Sequence, residues 1–266
     1  MAENEPISLE GKNVLSPKND VVFKALFTRG KEGITKAFLE DILKIKINKL
    51  DLDKSKDLFN DNKEDKNGRL DLRALINDDV ECDIELQLRV HKKDIERFLY
   101  YWAKVYSSNL LIGNNYKGLR KTISILIMGE EPKELKEIKK SHTKWQIREE
   151  KYQNIVLTKD LEIHIIILTN ALKEYKNNPK DKVLQWMMFL ENPEDKEIQK
   201  IVNENEKIKE AKKELDIISR ERGLRELAID RIILEADRQQ FEEEAIERGT
   251  KKRNETAEWK SGMKQR

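Results

Sequence analysis

Apolar and polar residues alternate from Leu70 to Ile76 and again from Glu81 to Val90, and this period of two is the strongest constraint on the fold. Successive side chains of a strand point to opposite faces. Leu70, Leu72, Ala74 and Ile76 therefore share one face of a first strand, and Cys82, Ile84, Leu86, Leu88 and Val90 one face of a second. The other face carries Asp71 and Arg73, then Glu81, Asp83, Glu85, Gln87 and Arg89. Opposed residues of an antiparallel hairpin share a face. Both apolar sets are even-numbered, so the connecting loop must contain an odd number of residues. A three-residue loop, Asn77-Asp78-Asp79, makes paired residue numbers add to 156. Asp71 then faces Glu85, and Arg73 faces Asp83. Asn and Asp tolerate the left-handed backbone such a loop needs.

The flanking segments set this hairpin in a larger frame. Ser16-Pro17-Lys18-Asn19-Asp20 reads as a helix start, followed by an apolar stripe at Val22, Phe23, Leu26 and Phe27. Gly30 and Gly33 interrupt it before Ile34, Phe38, Ile42 and Leu43 resume a second stripe. Ile45–Leu52 predicts a strand with a phase slip, and the polar stretch 53–67 a solvated connection. Ile95, Phe98, Leu99, Trp102, Val105 and Tyr106 recur at helical spacing within 92–111, and the Ile-rich Lys121–Met128 reads as a strand. That helix crosses between strands as in a parallel β-α-β unit. Further strands are expected at Asn154–Leu157 and Leu161–Thr169, and a helix at Ala171–Leu190, with 130–150 charged and unassigned. The fold class expected is α/β: a mixed central sheet flanked by helices, then a C-terminal helical extension. The organisation expected is a flexible leader at 1–16, a core domain at 17–192 and a charged helical tail at 193–266.

Composition narrows the setting. Lys and Arg number 53 against 51 Asp and Glu, a formal net charge of +2 that neither demands a nucleic acid nor forbids a local basic groove. One cysteine, Cys82, excludes an internal disulfide, so a reducing compartment is the default. No run approaches the roughly 18 apolar residues that span a bilayer. A cytoplasmic protein with no membrane contact is expected. No glycine-rich phosphate loop, zinc pattern or nucleophile elbow occurs, so no small-molecule cofactor is expected. His91, His142 and His164 lack metal-ligand spacing, and Cys82 falls on the interior face as a small hydrophobe.

The paired acids carry the chemistry. Magnesium takes hard oxygen ligands and keeps waters for substrate phosphates. Two carboxylates side by side, Asp71 and Glu85, suit a divalent metal ion that assists phosphodiester hydrolysis. A solvent-facing hairpin decorated with charges has the same pattern.

Wider features separate those two readings. The opening Asn19-Asp20-Val21-Val22-Phe23-Lys24-Ala25-Leu26-Phe27 resembles that of the Rpn family of recombination-promoting nucleases, PD-(D/E)XK transposase-like proteins. So do Leu70-Asp71-Leu72-Arg73-Ala74 and Ile84-Glu85-Leu86-Gln87, then Arg97, Tyr100, Tyr101, Tyr106, Gly113, Tyr116 and Ile123 in the same order. Leu161-Glu162-Ile163-His164 and Trp186 with Phe189-Leu190 extend the likeness over about residues 17–195. Related chains end the later strand in Glu-Leu-Pro-Lys, of which Leu168-Thr169-Asn170 keeps only the Leu.

The resemblance implies a restriction-endonuclease-like core and a DNA endonuclease dependent on Mg²⁺, with Mn²⁺ as a substitute, in a recombination or mobile-element context. It implies metal ligation by Asp71, Glu85 and the Leu86 carbonyl. Gln87 stands at the signature's lysine position, where it orients water but carries no charge. Arg73 or Arg97 would supply the cation, and Asp20 matches the family's opening acid. The alternative is a catalytically weak DNA-binding or assembly protein that keeps the fold.

The tail has another texture. Residues 201–266 hold 16 basic and 16 acidic side chains, which argues against a simple electrostatic clamp on DNA. Ile201, Ile208, Leu215 and Ile218 form a narrow heptad-like seam, and Gly223 interrupts it before a second amphipathic helix. A homodimer through these C-terminal helices is the expectation, with the last dozen residues frayed. The competing expectation folds the seam back onto its own core.

Overall fold

A computed structural model describes residues 14–29, 32–53, 72–90, 93–110 and 115–264, with no account of the side chains of 242 and 252–264. Helices α1 (Asp20–Thr28) and α2 (Glu32–Leu43) precede strands β1 (Leu50–Leu52), β2 (Leu72–Ile76) and β3 (Val80–Gln87). Helix α3 (Asp94–Ser108) leads to β4 (Lys121–Met128), β5 (His142–Trp145) and β6 (Leu161–Ile167). Then come α4 (Leu168–Tyr175), α5 (Lys182–Glu191), α6 (Lys196–Glu204), α7 (Glu206–Arg220) and α8 (Arg222–Lys264). The six strands form one mixed sheet in the order β1-β2-β3-β4-β6-β5. β3, β4 and β6 run parallel, and α3 provides the crossover from β3 to β4. The α/β class is as expected.

The β2–β3 hairpin has the register read from the alternation. Leu72 pairs with Ile84, Arg73 with Asp83 and Ile76 with Val80 across the loop Asn77–Asp79. Asn77 and Asp78 take positive φ of 51° and 66°, the left-handed turn that their short polar side chains permit. Asp71 itself lies outside the described residues.

Two apolar layers clasp the sheet. On one side Ala74, Ile76, Cys82, Ile84, Ile123, Ile125 and Ile127 meet the aromatic and aliphatic stripes of α1, α2 and α5. Trp186 sits at the centre of this layer, edge-on to Phe38 at 5.4 Å between ring centres, with its indole N–H donating to Asp41 Oδ2 at 3.0 Å. Truncating a buried aromatic of this kind costs about 3–5 kcal/mol. On the other side Phe98 of α3 covers Leu126, Met128, Ile163 and Ile165. Cys82 is buried, and burial pushes its thiol well above the ordinary range, so it is an inert core residue as expected.

The seam of the tail belongs to the first layer. Ile201, Ile208, Leu215 and Ile218 are buried in the same cluster as Phe23, Phe27 and Phe38, joined by Ile198, Ala211, Leu224 and Ala228. The boundary expected at residue 193 thus falls inside one continuous core, and the seam offered for dimerisation is covered by the chain's own α1 and α2. A narrow apolar stripe buries more surface against an amphipathic helix pair of the same chain than it leaves for a partner.

Other departures have local causes. Of the strand expected at Ile45–Leu52 only Leu50–Leu52 joins the sheet, because Lys44 leaves α2 at a positive φ of 55°. Asn154–Leu157 makes a single bridge, Arg148 to Val156, and leaves Ile155 and Leu157 exposed. The helix expected at Ala171–Leu190 is two, α4 and α5, parted at Asn178-Pro179 and restarted by Asp181, whose carboxylate accepts from the Val183 and Leu184 amides. Edge strand β5, within the charged stretch 130–150, shows no apolar alternation that would mark it in the sequence. The interruption expected at Gly223 falls two residues earlier, at Glu221 between α7 and α8, and α8 continues to Lys264 through the segment expected to fray. No helix among the described residues is long and apolar enough to cross a membrane.

Candidate functional site

The odd-numbered residues of β3 form a polar row that α3 covers at one end. Glu81 starts the row, accepting from Arg73 Nε and Arg120 Nη1, each at 3.2 Å. Asp83 follows, wholly buried, with Ser124 Oγ of β4 donating to its Oδ1 at 2.6 Å. Glu85 is next, 7% exposed, with its Oε1 accepting from Arg97 Nη2 of α3 at 2.8 Å. The same Nη2 donates to Gln87 Oε1 at 2.8 Å, and Gln87 Nε2 donates to the Arg89 carbonyl at 2.9 Å. The hairpin's facing rule and the α3 crossover together set these groups side by side.

Burial without full pairing makes the row electrostatically unusual. Loss of water pushes Asp83 up to about 7, opposed by the Ser124 hydrogen bond and reinforced by the charge of Glu85. Burial likewise raises Glu85, against the lowering pull of Arg97. Asp83 Oδ2 and Glu85 Oε2 are buried oxygens with no hydrogen-bond partner among the described residues. Such an orphan costs about 1–3 kcal/mol, so a fold retains it only where something else offsets the loss. A hard cation is the chemistry that buried anionic oxygens fit. Among the described residues no three acidic, His or Cys side chains gather as a metal centre, and Asp71 is outside them.

Apart from Asp71, the candidate site residues lie among the described residues. Glu85, Gln87 and Arg97 are brought together by the two 2.8 Å bonds of one guanidinium nitrogen. Arg73 is drawn to Glu81 instead. The Leu86 side chain packs towards the opposite, apolar layer, as the alternation requires. Asp20 lies in the first turn of α1, lining a cleft that also takes in Gln87 and Arg97. Its Oδ1 accepts from the Val21 amide and its Oδ2 pairs with Arg231 of α8, both at 2.8 Å. Gly129 closes the far end of β4, where its amide donates to the Gln87 carbonyl at 2.9 Å. A Cβ at that position would collide with the Leu88 carbonyl, so only glycine lets the two strand ends meet beside Gln87.

Two groups were missed. Ser124 is a polar interruption in an Ile-rich strand, a signal that was present but silent about its partner 41 residues earlier. Arg231 and Arg238 were hidden in the even charge balance of the tail, although their seven-residue spacing puts them on one helix face. His164 is buried, its Nε2 2.9 Å from Glu162 Oε1 and its Nδ1 2.8 Å from His142 Nε2, a structural network away from the row. His91 lies outside the described residues.

A family model described as PD-(D/E)XK nuclease family transposase matches residues 17–245. No curated protein and no solved structure matches the chain.

Proposed function

Because the chain belongs to the PD-(D/E)XK nuclease family of transposases, we propose that it is an endonuclease hydrolysing DNA phosphodiester bonds with Mg²⁺, in a recombination or mobile-element setting. The observation that carries this reading is Glu85: a buried carboxylate with one oxygen on Arg97 and the other without a partner among the described residues. In the proposed site Asp71, Glu85 and the Leu86 carbonyl would hold the metal, with Mn²⁺ as a substitute. A divalent ion held there supplies polarisation of the phosphodiester and a bound water that ionises near neutrality.

The chain's own residues supply the rest. Arg97 places a permanent positive charge where the family signature has lysine and Gln87 has none. It fixes the Gln87 carboxamide oxygen while the Arg89 carbonyl holds the amide nitrogen, so the carboxamide is oriented at both ends. An oriented amide can position a water but cannot take its proton. The charge of Glu85 in turn helps to hold Asp83, the preceding residue on the same face, in its protonated form.

A second reading draws on the same substitution: with Gln87 for lysine, the fold serves DNA binding or assembly and catalysis is weak. Plasmid nicking with Mg²⁺ separates the two when the unaltered chain is compared with Asp71→Ala and Glu85→Gln. Nicking that both substitutions abolish, with DNA binding retained in chelator, supports the nuclease. Nicking that survives both, or proceeds in excess chelator, rejects it.

A further inference from the structure

The cleft beside Gln87 has a wall that comes from the C-terminal helix. Its volume is about 400 Å³, and it is bounded by the start of α1, the end of β3, Arg97 of α3 and one face of α8. Five basic residues and two acidic ones line it, in a chain whose net charge is only +2. The tail's even charge count therefore conceals a sorted surface: Arg231 and Arg238 turn towards this cleft. The α1 N-terminus also opens here, and although Asn19 and Asp20 cap its first amides, the positive end of the helix dipole still favours an anion. Asn19 Nδ2 donates to the Ala228 carbonyl at 3.0 Å, which fixes α8 against α1 just before Arg231.

We propose that Arg231 and Arg238 of α8 bind the phosphate backbone of the DNA presented to the β3 site, so that the C-terminal helix forms one side of the substrate channel. This rests on the nuclease reading for its substrate but not for its geometry. Seven helical residues advance about 10.5 Å, so the two guanidiniums can serve separate phosphates, which follow at about 3.4 Å of axial rise along a strand. The Arg231–Asp20 pair does not preclude this. Both partners are about one-third exposed, and an ion pair of that kind contributes roughly 0–1 kcal/mol, so a phosphate competes with Asp20 for the guanidinium. The cleft is of small-molecule size, which suits a stretch of sugar-phosphate backbone and not a whole duplex.

The test is the salt dependence of binding to a fluorescein-labelled duplex, measured by anisotropy in chelator on the full chain and on Arg231→Gln/Arg238→Gln. Each phosphate contact contributes about 0.9 to the slope of log affinity against log salt, so the double variant should lose close to two units of slope. Affinity at low salt should fall by tenfold or more, while Arg231→Lys/Arg238→Lys keeps most of both. Asp20→Asn breaks the same ion pair but leaves the arginine, and should bind at least as tightly as the unaltered chain. An unchanged slope in the glutamine variant overturns the proposal. So does a loss in Asp20→Asn equal to that of the glutamine variant, since the pair would then be acting only to hold α8. If the unaltered chain binds DNA with this arginine-dependent slope but does not nick plasmid, the nuclease reading falls and the channel stands. If nicking depends on Glu85 and the slope ignores the arginines, the reverse holds.

Discussion

Glu85 and Glu162 are buried glutamates on opposite faces of one sheet, and they are treated in opposite ways. Glu162 is 3% exposed and ringed by partners: the cations Lys121 and Lys144 each approach within 2.7 Å, and His164 Nε2 lies at 2.9 Å. Burial alone would raise it, but hydrogen bonds from His164, Lys121 and Lys144 more than offset this and hold it well below the usual carboxylate range. Glu85 has Arg97 on one oxygen and, among the described residues, no partner on the other, and its net direction is upward. The first carboxylate is fully compensated within the protein, so it contributes to stability. The second is under-compensated, and that deficit is what a bound cation would fill.

The largest test of this contrast removes the packing that closes the Glu162 side. A chain ending at residue 195 loses Ile198, Ile201, Ile208, Ala211, Leu215 and Ile218 from the core shared with α1 and α2. Each lost aliphatic side chain removes about 1.5–3 kcal/mol of burial, against a typical total of 5–15 kcal/mol. Circular dichroism should show no cooperative melt; a normal melt would mean that the core is complete without α6 and α7.

Second in size is the functional effect at Glu85. Glu85→Gln should reduce nicking by on the order of 10²–10³-fold or more, while its thermal midpoint stays level or rises, because an under-compensated buried charge is removed. A stability loss comparable to that of Glu162→Gln would erase the distinction between the two residues.

Glu162→Gln should do the converse. Nicking stays within a few-fold, and denaturant unfolding reports a loss of about 1–3 kcal/mol, below the 3–5 of a fully buried pair because both lysines reach solvent.

The smallest effect is a pH slope on the Glu162 side. Burial, then the neighbouring charges of His164 and Lys44, lower His142 to about 4, with Lys144 acting in the same direction and Asp181 against it. An unfolded histidine takes up its proton near its ordinary 6.5, so between about 6.5 and 4 the unfolded chain binds more protons than the folded one. Stability is therefore full above about 6.5 and falls as pH drops towards 4, by ~1–2 kcal/mol after allowing for the ring's partial exposure. His142→Asn should flatten that part of the profile in urea melts at stepped pH. An unaltered profile would show that the histidine pair is not part of the compensation around Glu162.

What the sequence by itself determined was everything governed by a short period. Alternation over 70–90 assigned Cys82 and Ile84 to the core and Glu81, Asp83, Glu85 and Gln87 to the other face, and the odd loop length set the register. These are properties of a strand and its immediate neighbour, and the residues that decide them lie within the hairpin. Tertiary structure decided which charge meets which. Arg97 and Arg73 were equal candidates for Glu85 until the α3 crossover brought the first to it and Glu81 took the second. Asp83 finds Ser124, and Asp20 finds Arg231, across 41 and 211 residues of chain. The seam at Ile201–Ile218 had a pattern equally fit for a partner and for its own core, because amphipathicity specifies that a face will be buried and not against what. Only the assembled α1 and α2 layer supplied the complementary surface, at no cost in translational freedom, and so took the place of a second chain.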